Sequence, residues 1–248
     1  MSELTGHVAL VTGGSRGIGA ATAHVLAQAG ARVVITHRDS ATDADGVCAS
    51  LPGDGHRVIQ ASAADTAALE TAAASVADIE GRLDVLVNNA ARTKVIPHGD
   101  METLTDELFD AIMQTNVRGT FATVRAFRSL LEDDDGGVVI NISSLAAKMA
   151  GGSNVAYCAS KAAMDNMTLS LARALAPKIR VLSVAPGLVE TRFTSQWDPK
   201  VKERYLERTA LRRLPSPEDI GRAVLAAVTQ LTCTTGAIIP VDGGRPLG

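Results

Sequence analysis

The chain has 248 residues, 46% apolar but only 3% aromatic, with a formal net charge of −3 and three cysteines. Short Val/Ile runs packed against alanine-rich helices suit this composition better than an aromatic-cored β-sandwich, and the length accommodates one sizeable α/β domain or two small ones. The mild acidity, with no Lys/Arg stripe, argues against a nucleic-acid or anionic-membrane surface, and no apolar run nears the ~20 residues that span a bilayer.

"HVALVTGG" (7–14) is an apolar run ending in glycines, and "GIGAATAHVLAQAGA" (17–31) follows with helical spacing closed by Gly30. This reads as strand, tight loop, helix. Within the loop "TGGSRGIG" (12–19), Gly13 permits a tight turn, Gly17 the close approach of a pyrophosphate, and Gly19 close helix–strand packing, with phosphate meeting the helix N-terminus. Further short β-branched runs lie at 32–36, 56–61, 83–89, 136–144, 179–187 and 236–244, giving seven strands. Helical segments are expected at about 40–50, 65–80, 101–131, 154–176 and 216–230, with Asp65 as an N-cap. Strands alternating with helices predict a single-domain, Rossmann-like, doubly wound α/β fold spanning 1–248, its seven-stranded parallel sheet flanked by helices.

The segment 188–215 breaks this rhythm and holds the only Trp. Insertions after the carboxyl end of a strand are where open α/β sheets bind ligands, so it is read as a substrate-covering excursion; a purely structural surface excursion is the plainer alternative. Cys48, Cys158 and Cys233 show neither metal spacing nor a disulfide framework and are read as small buried apolar residues. The five histidines are scattered, so no metal is expected. "MSELTGHVALVTGG" lacks the basic and apolar regions of a secretory signal, so a cytoplasmic location is expected.

In "YCASK", Tyr157 and Lys161 stand at i and i+4, which on a helix places their Cβ atoms roughly 5–6 Å apart on one face. A free phenol titrates near ~10; an ammonium at ~4 Å in an effective dielectric of ~20 supplies about the 4 kcal/mol needed to bring it toward neutrality. Alone, such a pair is more often a half-buried aromatic beside a solvated charge.

Four motifs together decide otherwise. "TGGSRGIG" is similar to T-G-x-x-x-G-x-G, "NNAA" (88–91) to N-N-A-G, "YCASK" to Y-x-x-x-K, and Pro186-Gly187 with Thr191 to P-G-x-x-x-T. In this order and spacing the chain resembles the short-chain dehydrogenase/reductase family over essentially its whole length, closest to the 3-oxoacyl-acyl-carrier-protein reductase branch; Ala91 departs from the usual glycine. The resemblance implies hydride transfer between a nicotinamide dinucleotide and a carbonyl or secondary alcohol, with Tyr157 as acid–base and Lys161 as its tuner. Ser144, thirteen residues before the tyrosine and preferred over Ser143, would hold the substrate oxygen. Asn116 matches the asparagine that disrupts a helix and positions water near the lysine.

Cofactor contacts implied by the resemblance are Gly13, Ser15, Arg16, Gly17, Ile18, Gly19, Asn89, Ala90, Tyr157, Lys161, Pro186, Gly187, Val189 and Thr191. Ser62 and Ala63 stand where relatives carry an acidic residue toward the adenine. The end of the second strand carries His37, with Arg38 following and Arg16 in the loop. A carboxylate that would hold a ribose 2′-OH is missing there, which favours NADP(H); NAD(H) would follow if Asp39 took that place instead. The family also implies a homotetramer through 101–131, 154–176 and the C-terminus. Lys94, Arg192, Arg204, Arg208, Arg212 and Arg213 would attract an acidic acyl carrier protein, solvated charges being the plainer reading. A catalytically silent dinucleotide-sensing or scaffolding protein is the alternative function, against which the retained Asn116, Ser144, Tyr157 and Lys161 argue.

Overall fold

The computed structural model describes residues 3–133, 136–190 and 199–247. Seven strands, β1 (Val8–Thr12), β2 (Arg32–His37), β3 (Arg57–Gln60), β4 (Val85–Asn88), β5 (Gly137–Ile142), β6 (Ile179–Pro186) and β7 (Ile238–Val241), form one parallel sheet in the order β3-β2-β1-β4-β5-β6-β7. The chain turns back between β1 and β4, so the carboxyl ends of these two strands flank the crevice where open α/β sheets hold ligands.

Both faces of the sheet are covered, which explains the near-continuous apolar runs of the strands. On one face Ala9, Val11, Val33, Ile35, Val87, Ile140 and Val184 pack with residues of α1 (Gly17–Gln28), α2 (Ala41–Ser50) and α9 (Pro217–Thr229). On the other, Leu10, Val34, Leu86, Val139 and Val181 pack with α3 (Thr66–Ile79), α5 (Gly119–Glu132) and α7 (Val155–Leu175). Helices α1 and α9 meet closely because Gly221 presents no side chain: a Cβ there would lie 3.0 Å from Val25 Cγ2.

Local chemistry sets several helix starts. Asp65 is the N-cap of α3, its Oδ1 accepting from Ala68 N at 3.1 Å, as the sequence predicts. Ser216 and Asp219 form a reciprocal capping box on α9, with a proline in its first turn. The expected long helix at 101–131 differs in detail. It begins as α4 (Asp106–Met113), capped by Thr105, and passes through a π-helical turn at Gln114–Arg118 into α5. Two short helices were not foreseen: α6 (Ala146–Met149), and α8 (Pro199–Glu207) inside the excursion. Of the three cysteines only Cys158 is buried; Cys48 is half-buried and Cys233 exposed on the turn before β7, where its neighbours are polar.

Candidate active site

The loop leaving β1 is shaped by backbone requirements. Gly13 and Gly17 have φ of 64° and 57°, a region that favours glycine. At Gly17 a Cβ would point into open space, so a side chain there would obstruct whatever approaches the loop. At Gly19 it would collide with Gly13 O and Asn89 Nδ2, both at 2.5 Å. Helix α1 starts at Gly17 with no side-chain cap from Arg16, leaving its first amides without a side-chain acceptor. Uncapped amides, a positive helix end and an open approach fit a pyrophosphate.

Asn89 and Thr12 fasten the start of this loop to the end of β4. Thr12 Oγ1 accepts from Asn89 N and Ala90 N, both at 3.0 Å, and Asn89 Nδ2 donates to Thr12 O at 2.9 Å and Gly13 O at 3.0 Å. Asn89, expected among the cofactor contacts, thus commits its amide donors to holding the loop, and only Oδ1 remains for a ligand. Thr12 was not singled out from sequence, although it begins the glycine motif. Ser15 is half-buried and Arg16 exposed on the same loop, beside half-buried Ile18.

Along the carboxyl edge, β2 ends at His37, which is buried with Nδ1 unpartnered. Arg38 and Asp39 are exposed and pair with each other, so Asp39's carboxylate faces the guanidinium. After β3, the Ser62 hydroxyl accepts from Ala64 N at 3.2 Å, and Ala63 O lies 2.5 Å from where a Gly119 Cβ would stand, so this turn packs against the start of α5.

Asn154 caps α7, accepting from Tyr157 N at 2.7 Å, and its Nδ2 donates to Lys94 O at 2.7 Å. One side chain therefore anchors both the helix start and the loop 92–98. Tyr157, Lys161, Ser143 and Ser144 converge on a cavity of about 790 Å³ above the carboxyl ends of β4, β5 and β6. The two serines differ in burial and in partners. Ser143 is buried and donates to Lys161 O at 3.4 Å, whereas the hydroxyl of half-buried Ser144 accepts from Ala146 N at 3.1 Å and stands close enough to the Tyr157 phenol to influence it.

Burial pushes the Tyr157 phenol above its ordinary range; the Ser144 hydroxyl opposes this, and the neighbouring Cys158 adds to it. Lys161 is 2% exposed, and desolvation lowers its ammonium to about 8, partly offset by the carboxylate of Asp165 one helical turn on. The Tyr157–Lys161 pair lies in place in the structure, with desolvation the largest influence on each group. Lys161 Nζ donates to Ile142 O at 2.7 Å and lies 5.7 Å from the Tyr157 ring centroid, so desolvation dominates both groups.

Asn116 is fully buried in the π-helical turn, whose widened backbone is the disruption the sequence suggested. Its Oδ1 accepts from Arg92 N at 2.8 Å, and its Nδ2 donates to Arg92 O at 3.1 Å and to Ser160 Oγ at 3.0 Å. Ser160 in turn donates to Tyr157 O at 2.7 Å. Asn116 thus ties the loop after β4 to the helix that carries Tyr157. Ser160 was missed from sequence, where a lone helical serine gives no signal.

On the far wall, Gly187 N donates to Val241 O at 3.0 Å, and a Cβ at Gly187 would lie 2.9 Å from Asp242 Cα, so glycine is needed for β6 to turn beside β7. Pro186 and Val189 are buried there. Thr191 and Arg192 lie outside the described residues. Leu188 and Tyr205 of the excursion, with Arg245, complete the cavity wall. Among the described residues no group of three or more His, Cys, Asp or Glu side chains is placed to hold a metal ion, and no helix is long and apolar enough to cross a membrane.

A family model described as enoyl-(acyl carrier protein) reductase matches residues 13–245. A protein named for a ketoacyl reductase of the granaticin polyketide synthase of Streptomyces violaceoruber is 40% identical over 97% of this chain and 96% of its own. A 3-oxoacyl-[acyl-carrier-protein] reductase of Synechocystis is 36% identical over 98% of both chains. Among solved structures, a short chain dehydrogenase from Burkholderia cenocepacia in complex with NADP superposes with a TM-score of 0.89 at 34% identity, covering 98% of this chain and 99% of that one.

Proposed function

The chain belongs to the short-chain dehydrogenase/reductase family and is an NAD(P)-dependent oxidoreductase; on that premise we propose that it reduces a ketone with NADPH, using Tyr157 as the proton donor. The observation that carries this reading is the convergence of Ser144, Tyr157 and Lys161 on one cavity beside the glycine loop. Gly13–Gly19, His37–Arg38, Ser62–Ala63, Asn89–Ala90 and Pro186–Val189, with Thr191 added from the family motif, would hold NADPH, which when bound would supply a hydride for a carbonyl carbon. Ser144 holds the carbonyl oxygen. Tyr157, kept protonated at neutral pH by burial, donates its proton to that oxygen as it becomes an alkoxide. Lys161 stabilises the phenolate left behind, and Asn116 keeps the start of α7 and the loop at Arg92 in register with it. Segment 188–215 covers the substrate, a role supported by Leu188 and Tyr205 in the cavity wall.

Preference for NADP(H) is supported by the end of β2 at His37, with no carboxylate there, and by exposed Arg16 and Arg38. Asp39, the residue that NAD(H) would use instead, is exposed and pairs with Arg38. A 3-oxoacyl thioester is the substrate class suggested by the Synechocystis relative. A homotetramer is supported by exposed Phe109, Phe121, Val155 and Leu169 on α4, α5 and α7, and by Leu247 at the C-terminus. A cytoplasmic location belongs to the same proposal, supported by three free thiols.

The test is oxidation of NADPH and of NADH by the purified protein with a panel of ketones and 3-oxoacyl thioesters. The reading expects turnover with kcat/KM at least about tenfold higher for NADPH, equivalent to ~1.4 kcal/mol, and a smaller gap in Arg38→Ala through weaker NADPH use alone. Dinucleotide binding with no turnover on any carbonyl would favour the silent sensor instead.

A further inference from the structure

The cavity wall has a one-sided charge. Its described lining includes Lys161 and Arg245 but no Asp or Glu, while Val95, Leu145, Met149 and Leu188 make much of the remainder apolar. Lys161 is committed to Ile142 O beneath the Tyr157 ring. Among the described residues, Arg245 is therefore the cation that the cavity offers to a substrate.

Its guanidinium is already held in place. Arg245 stacks on the Tyr205 ring at 4.5 Å from the centroid and donates from Nη1 to Arg208 O at 2.8 Å. Its backbone is fixed by the turn after β7, where Asp242 O accepts from Arg245 N at 3.3 Å. Among the described residues no carboxylate pairs with it. A half-buried guanidinium with spare donors, oriented by an aromatic face and a carbonyl, is preorganised for an oxyanion.

We propose that Arg245 anchors an anionic group of the substrate, so that, in place of the thioester class the Synechocystis relative suggests, the preferred ketone is an oxo acid whose apolar chain lies between the reducible carbonyl and a carboxylate. The inference rests on the reductase reading for the carbonyl end, while the anchor itself is a binding property. The apolar wall takes the chain, Ser144 and Tyr157 take the carbonyl oxygen, and Arg245 sets which chains are accepted.

The experiment uses wild type, Arg245→Met and Arg245→Lys. Each is assayed with NADPH on a medium-chain oxo carboxylate and on its methyl ester, and each is titrated calorimetrically with the saturated carboxylate of the same length. Wild type should favour the oxo acid over its ester by about tenfold in kcat/KM, mostly through KM, and Arg245→Met should abolish that ratio. Arg245→Lys, which keeps the charge, should retain part of it. The saturated carboxylate should bind wild type at least about tenfold more tightly than Arg245→Met. Equal use of acid and ester by wild type, or equal losses on both in Arg245→Met, would reduce Arg245 to a strut for Tyr205 and overturn the proposal. If no ketone is reduced, the calorimetry still decides: carboxylate binding that depends on Arg245 keeps the anchor and sinks the reductase reading, and binding indifferent to Arg245 sinks the anchor.

Discussion

Replacing Lys161 with methionine should make the dinucleotide-free protein more stable while destroying its activity. The ammonium is 2% exposed, and burial lowers it from its ordinary 10.5 to about 8. That drop means the charged form is disfavoured in the folded state by about 3 kcal/mol at neutral pH. Methionine fills a similar volume and needs no hydration, but it forfeits the hydrogen bond to Ile142 O, worth about 1 kcal/mol. The net gain is therefore about 2 kcal/mol at pH 7, or roughly 4–8 °C in Tm for a chain of this size.

The sign of the pH dependence follows. Below about 8 the lysine is protonated in both states and the penalty is complete. Between about 8 and 10.5 the unfolded chain binds more protons than the folded one, so wild type gains stability as pH rises and the advantage of Lys161→Met shrinks. Urea unfolding of both proteins at one protein concentration, from pH 7 to pH 10, measures this. A variant less stable than wild type at pH 7, or a difference constant across the range, would refute desolvation as the governing force at this site.

Tyr157→Phe should lower kcat at least tenfold on any good substrate while leaving NADPH affinity within a few-fold, because the ring stays and only the transferable proton is lost; steady-state kinetics with a direct binding titration check both halves. Asp165→Asn should move the decline of kcat/KM, expected near pH 8 as Lys161 loses its charge, to lower pH with little change at pH 6, since Asp165 favours the ammonium; an unaltered pH profile would exclude that role. Gly19→Ala should weaken NADPH binding about tenfold and destabilise by roughly 1–3 kcal/mol, because its Cβ meets Gly13 O and Asn89 Nδ2 at 2.5 Å. Gly46→Ala in α2, where a Cβ meets nothing, should instead stabilise by about 0.5–1 kcal/mol, as thermal unfolding of the pair would show.

Much of this protein was legible in its sequence because the relevant physics is short-range. Strands buried on both faces must be apolar throughout, so β1, β2 and β5 stand out as Val/Ile runs; a turn needing positive φ takes glycine at Gly13 and Gly17; a free helix start takes a cap such as Asp65. The choice of Ser144 over Ser143 came instead from the family's thirteen-residue spacing to the tyrosine. Tertiary structure alone decided the rest. Asn116 finds its partners 24 residues away at Arg92 and 44 away at Ser160, and Asn154 fastens a loop 60 residues before it. Arg245 reaches the cavity only because the C-terminal turn folds back onto Tyr205. The clearest case is Lys161. Its position four residues after Tyr157 is written in the chain, but how far its own ammonium is pushed down depends on how much water the packed helices exclude. Desolvation belongs to the assembled surroundings, and no local pattern carries it.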